Sequence, residues 1–543
     1  MTVSFRRITS VFGLLTAALL ACGMFAQNAA AVQIGTFTWS GSGTNSNWVW
    51  QTGSNWVGNA SPATGTSGNF VFNNNVGTTN RNNIGNLTAT NMSFVNGAGA
   101  FTLSGSAINL GSIANTSANT QTLSLGVIQS TSGTYTASAN ITLSGSLSGA
   151  GNILKTGAGT LALNGSKASY TGTVTASSGT LSFGSSMSNG NVNMQANTTL
   201  ANTSGGDLTL KNLEISGSNV SLPSSNLGFL MNGGGLTNST GDQLTISNNV
   251  TFSKNSTINA GANGMTLTGV VAGSGTTTSI GTGLLDMTNS GNGHTGLFVV
   301  QTGTTRLSSG FGADFIIKSG AVLESTTGGN GTVAKVTMEN GGILLPGGPD
   351  SIGRISANTD ITLASTSIVG FDIGGSDPAQ RGVPGVDFDQ VKFAAGGDTG
   401  VLNYNGFVDL NFTTSTTFDN GVSFLLFNNS DTGTYEPTSN LVGFNTTTTT
   451  GASPYNGLTF TDFAGANQSE KDYFGLVAGD WISTWNGAGH QRLIFSQSTG
   501  TLTVVPEPST IVFAGIGMAM FGWSTWTRRR ANARRQAIEA AIA

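Results

Sequence analysis

The sequence predicts an all-β protein: a right-handed parallel β-helix with a tryptophan-rich N-terminal cap, a C-terminal β unit and a single C-terminal transmembrane helix. Three observations predict it. Residues 149–184 read GAGNILKTGAGTLALNGSKASYTGTVTASSGTLSFG, with Leu161 and Leu163 on one face and Leu181 and Phe183 likewise paired. A two-residue apolar period with Thr and Ser between is the pattern of short strands with one buried side. The block returns 124 residues later: Gly283 stands for Gly159, Leu285 for Leu161, Met287 for Leu163, Gly296 for Gly172 and Gly303 for Gly179. Charged residues make up only 8% of the 543, against roughly 25% in ordinary soluble domains, while glycine, at 80 residues, is about twice as frequent as usual.

That composition excludes several functions. Between residues 32 and 504 there are 13 Lys/Arg against 22 Asp/Glu, and no acidic residue precedes Asp207. Nucleic-acid binding needs a basic footprint, so no nucleic acid is expected as a partner. The only cysteine is Cys22, so the body has no disulfide to hold it and depends on burial and hydrogen-bonded sheet.

Residues 1–31 are expected to be a signal peptide. Arg6 and Arg7 lead, an apolar run follows from Val11, and Ala29 and Ala31 frame a small-residue cleavage site. The rival reading is Leu19-Leu20-Ala21-Cys22, which resembles a lipoprotein box and would put a lipid on Cys22. Residues 32–80 are expected to cap the solenoid. Trp39, Trp48, Trp50 and Trp56 fall within FTWSGSGTNSNWVWQTGSNW, and no further Trp occurs before Trp481. The open end of stacked rungs must be covered; the alternative for these four rings is a platform on which a glycan stacks.

Residues 81–397 are expected to be the β-helix repeats. Fragments such as FTLSGS, ITLSGSL and TLALNGS recur, and Gly303, Gly320 and Gly341 open steps at spacings of 17 and 21. About 20 residues is one turn of roughly three short strands, with glycine and asparagine at the corners. Residues 398–503 form a C-terminal β unit with longer apolar strands, either the last irregular rungs or a small sandwich. Residues 504–530 carry Val505-Pro506-Glu507-Pro508-Ser509, an apolar run from Ile511 to Trp526, and Arg528-Arg529-Arg530. Sixteen helical residues span about 24 Å, a little short of a hydrocarbon core of about 30 Å, and the arginines would stay cytoplasmic. Residues 531–543 follow as a cytoplasmic tail.

These residues carry two family resemblances. The tail resembles the PEP-CTERM sorting domain, which has a Pro-Glu-Pro signature, a transmembrane helix and an arginine cluster in that order. The resemblance implies an exosortase-type membrane processing enzyme as partner, cleavage near Val505 to Ser509, and delivery to the cell surface, outer membrane or extracellular matrix of a Gram-negative-type bacterium. It also implies anchoring before processing and association with extracellular polysaccharide. Residues 149–184 and 281–310 resemble the autotransporter-associated β-strand repeat through Gly157-Ala158-Gly159-Thr160-Leu161, Tyr170-Thr171-Gly172 and Gly179-Thr180-Leu181. His294-Thr295-Gly296 takes the place of the Tyr-Thr-Gly centre in the later copy. A true autotransporter ends in a membrane barrel, and this chain ends instead in one apolar run.

Chemistry has little to work with. His294 and His490 are the only histidines, so zinc sites and Ser-His-Asp arrangements lack material. The best acidic candidates are Asp387 and Asp389, with Asp372 and Asp377 upstream; they read as a calcium site, a sugar-cleaving pair or a solvated strand edge. No catalytic residue and no cofactor are expected. The expected function is a surface structural or adhesive solenoid, its alternative a β-helix that binds or cleaves polysaccharide.

Overall fold

The computed structural model describes residues 34–43, 48–374, 383–397, 399–413, 417–430, 434–435, 441–446, 458–486, 490–506, 526 and 528–530. The chain divides into two compact units, Met1–Pro223 and Ser224–Ala543. Each is built from parallel strands that return to the same wall about once every 20 residues.

In the first unit the expected period appears as register. Leu103 lies over Leu123, Leu123 over Leu143, Leu143 over Leu163 and Leu163 over Phe183. All five side chains are buried. Seven strands, from Thr79–Asn82 to Thr198–Asn202, make this wall. Backbone N–H and C=O groups pair between rungs about 4.8 Å apart, so each apolar column closes only when several rungs stack. Glycine sits where the chain turns into a strand. Gly179 has φ 67°, and a Cβ there would fall 2.5 Å from the Gly157 carbonyl oxygen on the preceding rung. No other residue fits that approach without moving the backbone.

One core column is broken by charge. Tyr135, Lys155 and Ala176 stack in register, and Lys155 is fully buried. Its Nζ bends back to donate to the carbonyl oxygens of Gly157 at 2.5 Å and Ser178 at 2.6 Å. Lys167, also buried, donates to Leu163 O at 2.8 Å, Gly165 O at 2.7 Å and Ser185 Oγ at 2.6 Å. Burial pushes both ammonium groups down to about 8, which leaves them cationic at neutral pH. With no carboxylate before Asp207, turn carbonyls replace the missing counter-ion, because a buried charge must be hydrogen-bonded.

The second unit repeats the plan on longer rungs. A nine-stranded parallel wall runs from Leu244–Ile246 to Gly443–Thr446. The 124-residue correspondence holds in three dimensions. Gly149 pairs with Tyr170, and Gly273 pairs with His294, so His294 does occupy the tyrosine slot. Gly303, Gly320 and Gly341 all take positive φ at turns. Later turns swell: the step from Ile368 to Phe407 on one wall takes 39 residues, and Pro384 lies in that insertion.

The region after residue 398 holds both parallel rungs and one antiparallel sheet. Parallel rungs continue through Val401–Tyr404, Phe407–Phe412 and Gly443–Thr446. A five-stranded antiparallel sheet follows, ordered Ser423–Leu425, Thr501–Pro506, Gln491–Ser496, Asp480–Ser483, Phe460–Asp462. A seven-residue helix, Gln468–Phe474, was not expected there. Asn467 and Glu470 close a capping box at its start, and Gly475 ends it in the left-handed region, a signature legible as Asn-x-x-Glu. The expected membrane segment, Ile511 to Trp526, lies outside the described residues except for Trp526. No described helix is long and apolar enough to cross a membrane.

Replacing Lys155 with Ala removes the ammonium donor from the Gly157 and Ser178 carbonyls, leaving Gly157 O with the Ser178 hydroxyl at 3.3 Å, and empties a core position. The expected loss is roughly 3 kcal/mol, read as a lower denaturant midpoint with unchanged β-sheet circular dichroism.

Candidate functional site

The N-terminal tryptophans gather, but mostly inward. Trp39, Trp50 and Trp56 are at most 1% exposed. Trp56 meets Trp39 edge-on at 5.1 Å and Trp50 at 5.7 Å, while Trp50 stacks on Phe70 at 5.4 Å. Every one of their indole N–H groups is satisfied: Trp39 by Val76 O, Trp50 by Asn80 Oδ1 and Trp56 by the Trp50 carbonyl. These buried rings with bonded N–H groups pack with Phe70 and Phe72 in the core of the first rungs and have no face left for a sugar. Only Trp48 is half-exposed, and one ring does not make the four-ring glycan platform.

The acidic residues converge more than their spacing suggested. An antiparallel bridge from Ile373 to Phe388 folds the segment before Asp389 back on the strand Ile368–Ile373. Asp389 Oδ2 accepts from the Asp372 backbone N–H at 2.8 Å and Oδ1 from Gly353 N–H at 2.6 Å. Asp372 accepts from Ser351 N–H at 2.7 Å and from the Asn411 side chain, which also reaches Asp350 at 3.1 Å. Asp350, Asp372, Asp389 and Asp409 line a cavity of about 250 Å³ whose apolar side is Leu345 and Phe371.

Burial is the main force on these carboxyls. It pushes Asp389 up to about 9, with the Asp372 charge adding to it and the two backbone amides opposing it. Asp372 rises to about 6, again by burial, with help from Asp350 and Asp409 and against the pull of Asn411 and Ser351. The pair therefore keeps a proton at pH values where free aspartates have lost theirs. Its hydrogen bonds go to the backbone of its own turns, so the pair first of all clamps the insertion loops together.

Asp387 Oδ2 accepts from Val383 N–H at 3.0 Å, whereas Asp389 accepts from the Asp372 and Gly353 amides. Among the described residues no three His, Cys, Asp or Glu side chains are placed to hold a metal. Asp377 lies outside the described residues. Asp350, Asp409 and Asn411 were missed by sequence reading. The alternation of Asp409 and Asn411 with Val408, Leu410 and Phe412 marks an outward face, but only the register sets Asn411 beside Asp372.

His294 is buried, with Nε2 2.8 Å from Thr277 Oγ1 and its ring stacked on Phe311 at 5.7 Å. Burial lowers its pKa, and it sits as a core residue. His490 is exposed at a left-handed turn, φ 51°. In the tail, Val505 and Pro506 end the last strand, opposite Arg492 and Gln491. Glu507, Pro508 and Ser509 lie outside the described residues, as do Ala29, Ala31 and Cys22. Arg528, Arg529 and Arg530 are exposed, and the Arg530 guanidinium lies 4.2 Å over the Trp526 ring.

No family model matches this sequence, and no curated protein matches it. The two family resemblances rest on the residues quoted for them.

The folded values of Asp372 and Asp389 lie above those of the unfolded chain, near 4. The folded protein thus keeps protons that the unfolded chain releases, and stability falls as pH rises from about 4 to about 9. Asp389→Asn removes the later part of that titration. Denaturant midpoints should decline between pH 6 and 9 in the parent protein and stay flatter in the variant.

Proposed function

We propose that this chain is an exported structural or adhesive protein of the cell surface, sorted through its PEP-CTERM-like tail by an exosortase-type enzyme and associated with extracellular polysaccharide. The observation that supports it best is the pairing of two features. The body is a parallel β-solenoid with an outer face of Thr, Ser and Asn, and its last strand ends on Pro506, the first residue of the Pro-Glu-Pro signature. A polar face with few charges offers hydroxyls and amides to a glycan. The first described strand begins at Ile34, three residues beyond Ala31, which suits removal of the leader there.

A second reading, cleavage of polysaccharide, draws on the buried Asp372 and Asp389 beside a cavity, both raised by burial. Retaining and inverting glycosidases need such a pair open to the sugar. Here Asp389 is taken up by two backbone amides and Asp372 by one backbone amide and the Asn411 side chain, so the structural reading is preferred.

Changing Pro506, Glu507 and Pro508 together to Ala is expected to remove the protein from the cell-surface fraction while its circular dichroism stays that of the parent. Surface levels equal to the parent's would contradict the sorting half of the proposal.

A further inference from the structure

We infer that the Met1–Pro223 unit carries a binding site for a neutral glycan, in a groove formed where three successive rungs bend. The inference rests on the glycan-contacting part of the proposed function and gives it a location.

The groove has a local cause. Over their paired stretch, Thr88–Phe94 has one residue more than Ser67–Phe72: the register steps from Gly68 over Ala89 to Asn69 over Asn91, leaving Thr90 as a bulge. Bulges bend a strand and sharpen its twist. On the next rung Gly111 sits opposite Thr90, and a Cβ there would come 2.4 Å from the Thr90 carbonyl oxygen. On the rung after that the strand breaks into Val127–Ile128 and Gly133–Ala137. The intervening residues, Ser130 and Thr131, stand out as a rim. The resulting groove has a volume of about 300 Å³, at the lower end of the range for small-molecule sites.

The rim is held from beneath. Gln129 is fully buried, and its Nε2 donates to Gly111 O at 3.0 Å and to Thr131 O at 2.6 Å. Its Oε1 accepts from the buried Tyr135 hydroxyl at 2.6 Å. The turn is therefore fixed before any ligand arrives, which lowers the entropic cost of binding.

The lining decides the ligand class. Thr88 pairs with Asn109, and Asn109 with Ile128, so these three form one outward column across the groove. Ile128 and Gly111 give it an apolar patch of the kind that the C–H face of a sugar ring covers. The Asn109 NH₂ and the Thr88 and Thr131 hydroxyls make no hydrogen bond within the described residues. They are the donors and acceptors a sugar's hydroxyls would meet. No charged residue lines the groove, and the chain has no acidic residue before Asp207. A uronate or sulfated chain would find no cation there, and a cationic ligand no carboxylate. A neutral chain of hexoses satisfies the lining on both counts.

The test is titration calorimetry of the full chain with cellohexaose, maltohexaose, mannohexaose and hexagalacturonate. The inference predicts millimolar or tighter binding of at least one neutral hexasaccharide and none of hexagalacturonate. Asn109→Ala combined with Thr131→Ala should weaken that binding about tenfold or more, as loss of two ordinary hydrogen bonds does. Thr90→Trp, at an exposed bulge, should block it, with the melting temperature of the parent retained in both variants. Absence of binding by all three neutral sugars, equal binding by parent and variants, or preference for hexagalacturonate would each overturn the site. Surface retention that still depends on the Pro-Glu-Pro residues would then stand alone, whereas glycan binding without tail-dependent sorting would remove only the sorting proposal.

Discussion

The constraint on which everything else depends is that parallel rungs stack in register. Each residue is placed about 4.8 Å from its counterpart on the next rung, and the backbone between them is hydrogen-bonded. Identical positions thus become neighbours. Leucine over leucine makes a column of core, and threonine over serine or asparagine over asparagine makes a polar ladder. A charge over a like charge would be repelled at short range along the whole wall.

This explains the low charge content better than any demand of function. Where charges do occur in the second unit, their signs alternate from rung to rung. Asp286, Arg306 and Glu324 follow one another in register, with Arg306 Nη2 2.6 Å from Glu324 and Nη1 4.0 Å from Asp286. Asp314, Lys335 and Asp360 do the same on another wall, Lys335 lying 2.9 Å from Asp360. In the first unit, where no acidic residue precedes Asp207, charge is met by carbonyl oxygens around Lys155 and Lys167. The acidic cavity at Asp372 and Asp389 departs from this rule, since like charges meet there, and a retained proton resolves the conflict.

Much of the fold was legible because a period of two within a period of about 20 has few structural solutions. The 124-residue repeat carried over residue by residue, down to His294 in the slot of Tyr170. What was not legible followed from register and loop length. Asp372 and Asn411 are 39 residues apart because an insertion separates their rungs, so no fixed spacing could pair them. The burial of Trp39, Trp50 and Trp56 was foreseen as a cap but not separated from a sugar platform, since aromatic content serves either use. The groove at Thr90 was hidden for a different reason: a one-residue bulge leaves no mark in composition or period.

Register itself can be measured directly. Ser124 and Ser144 lie on adjacent rungs with their hydroxyl oxygens 3.0 Å apart. In a Cys22→Ser background, Ser124→Cys with Ser144→Cys should close to a disulfide under mild oxidation. Ser124→Cys with Thr142→Cys, two residues out of step, should stay reduced because its Cα separation exceeds disulfide reach. Closure of the second pair as readily as the first, or failure of the first, would contradict the stacked solenoid.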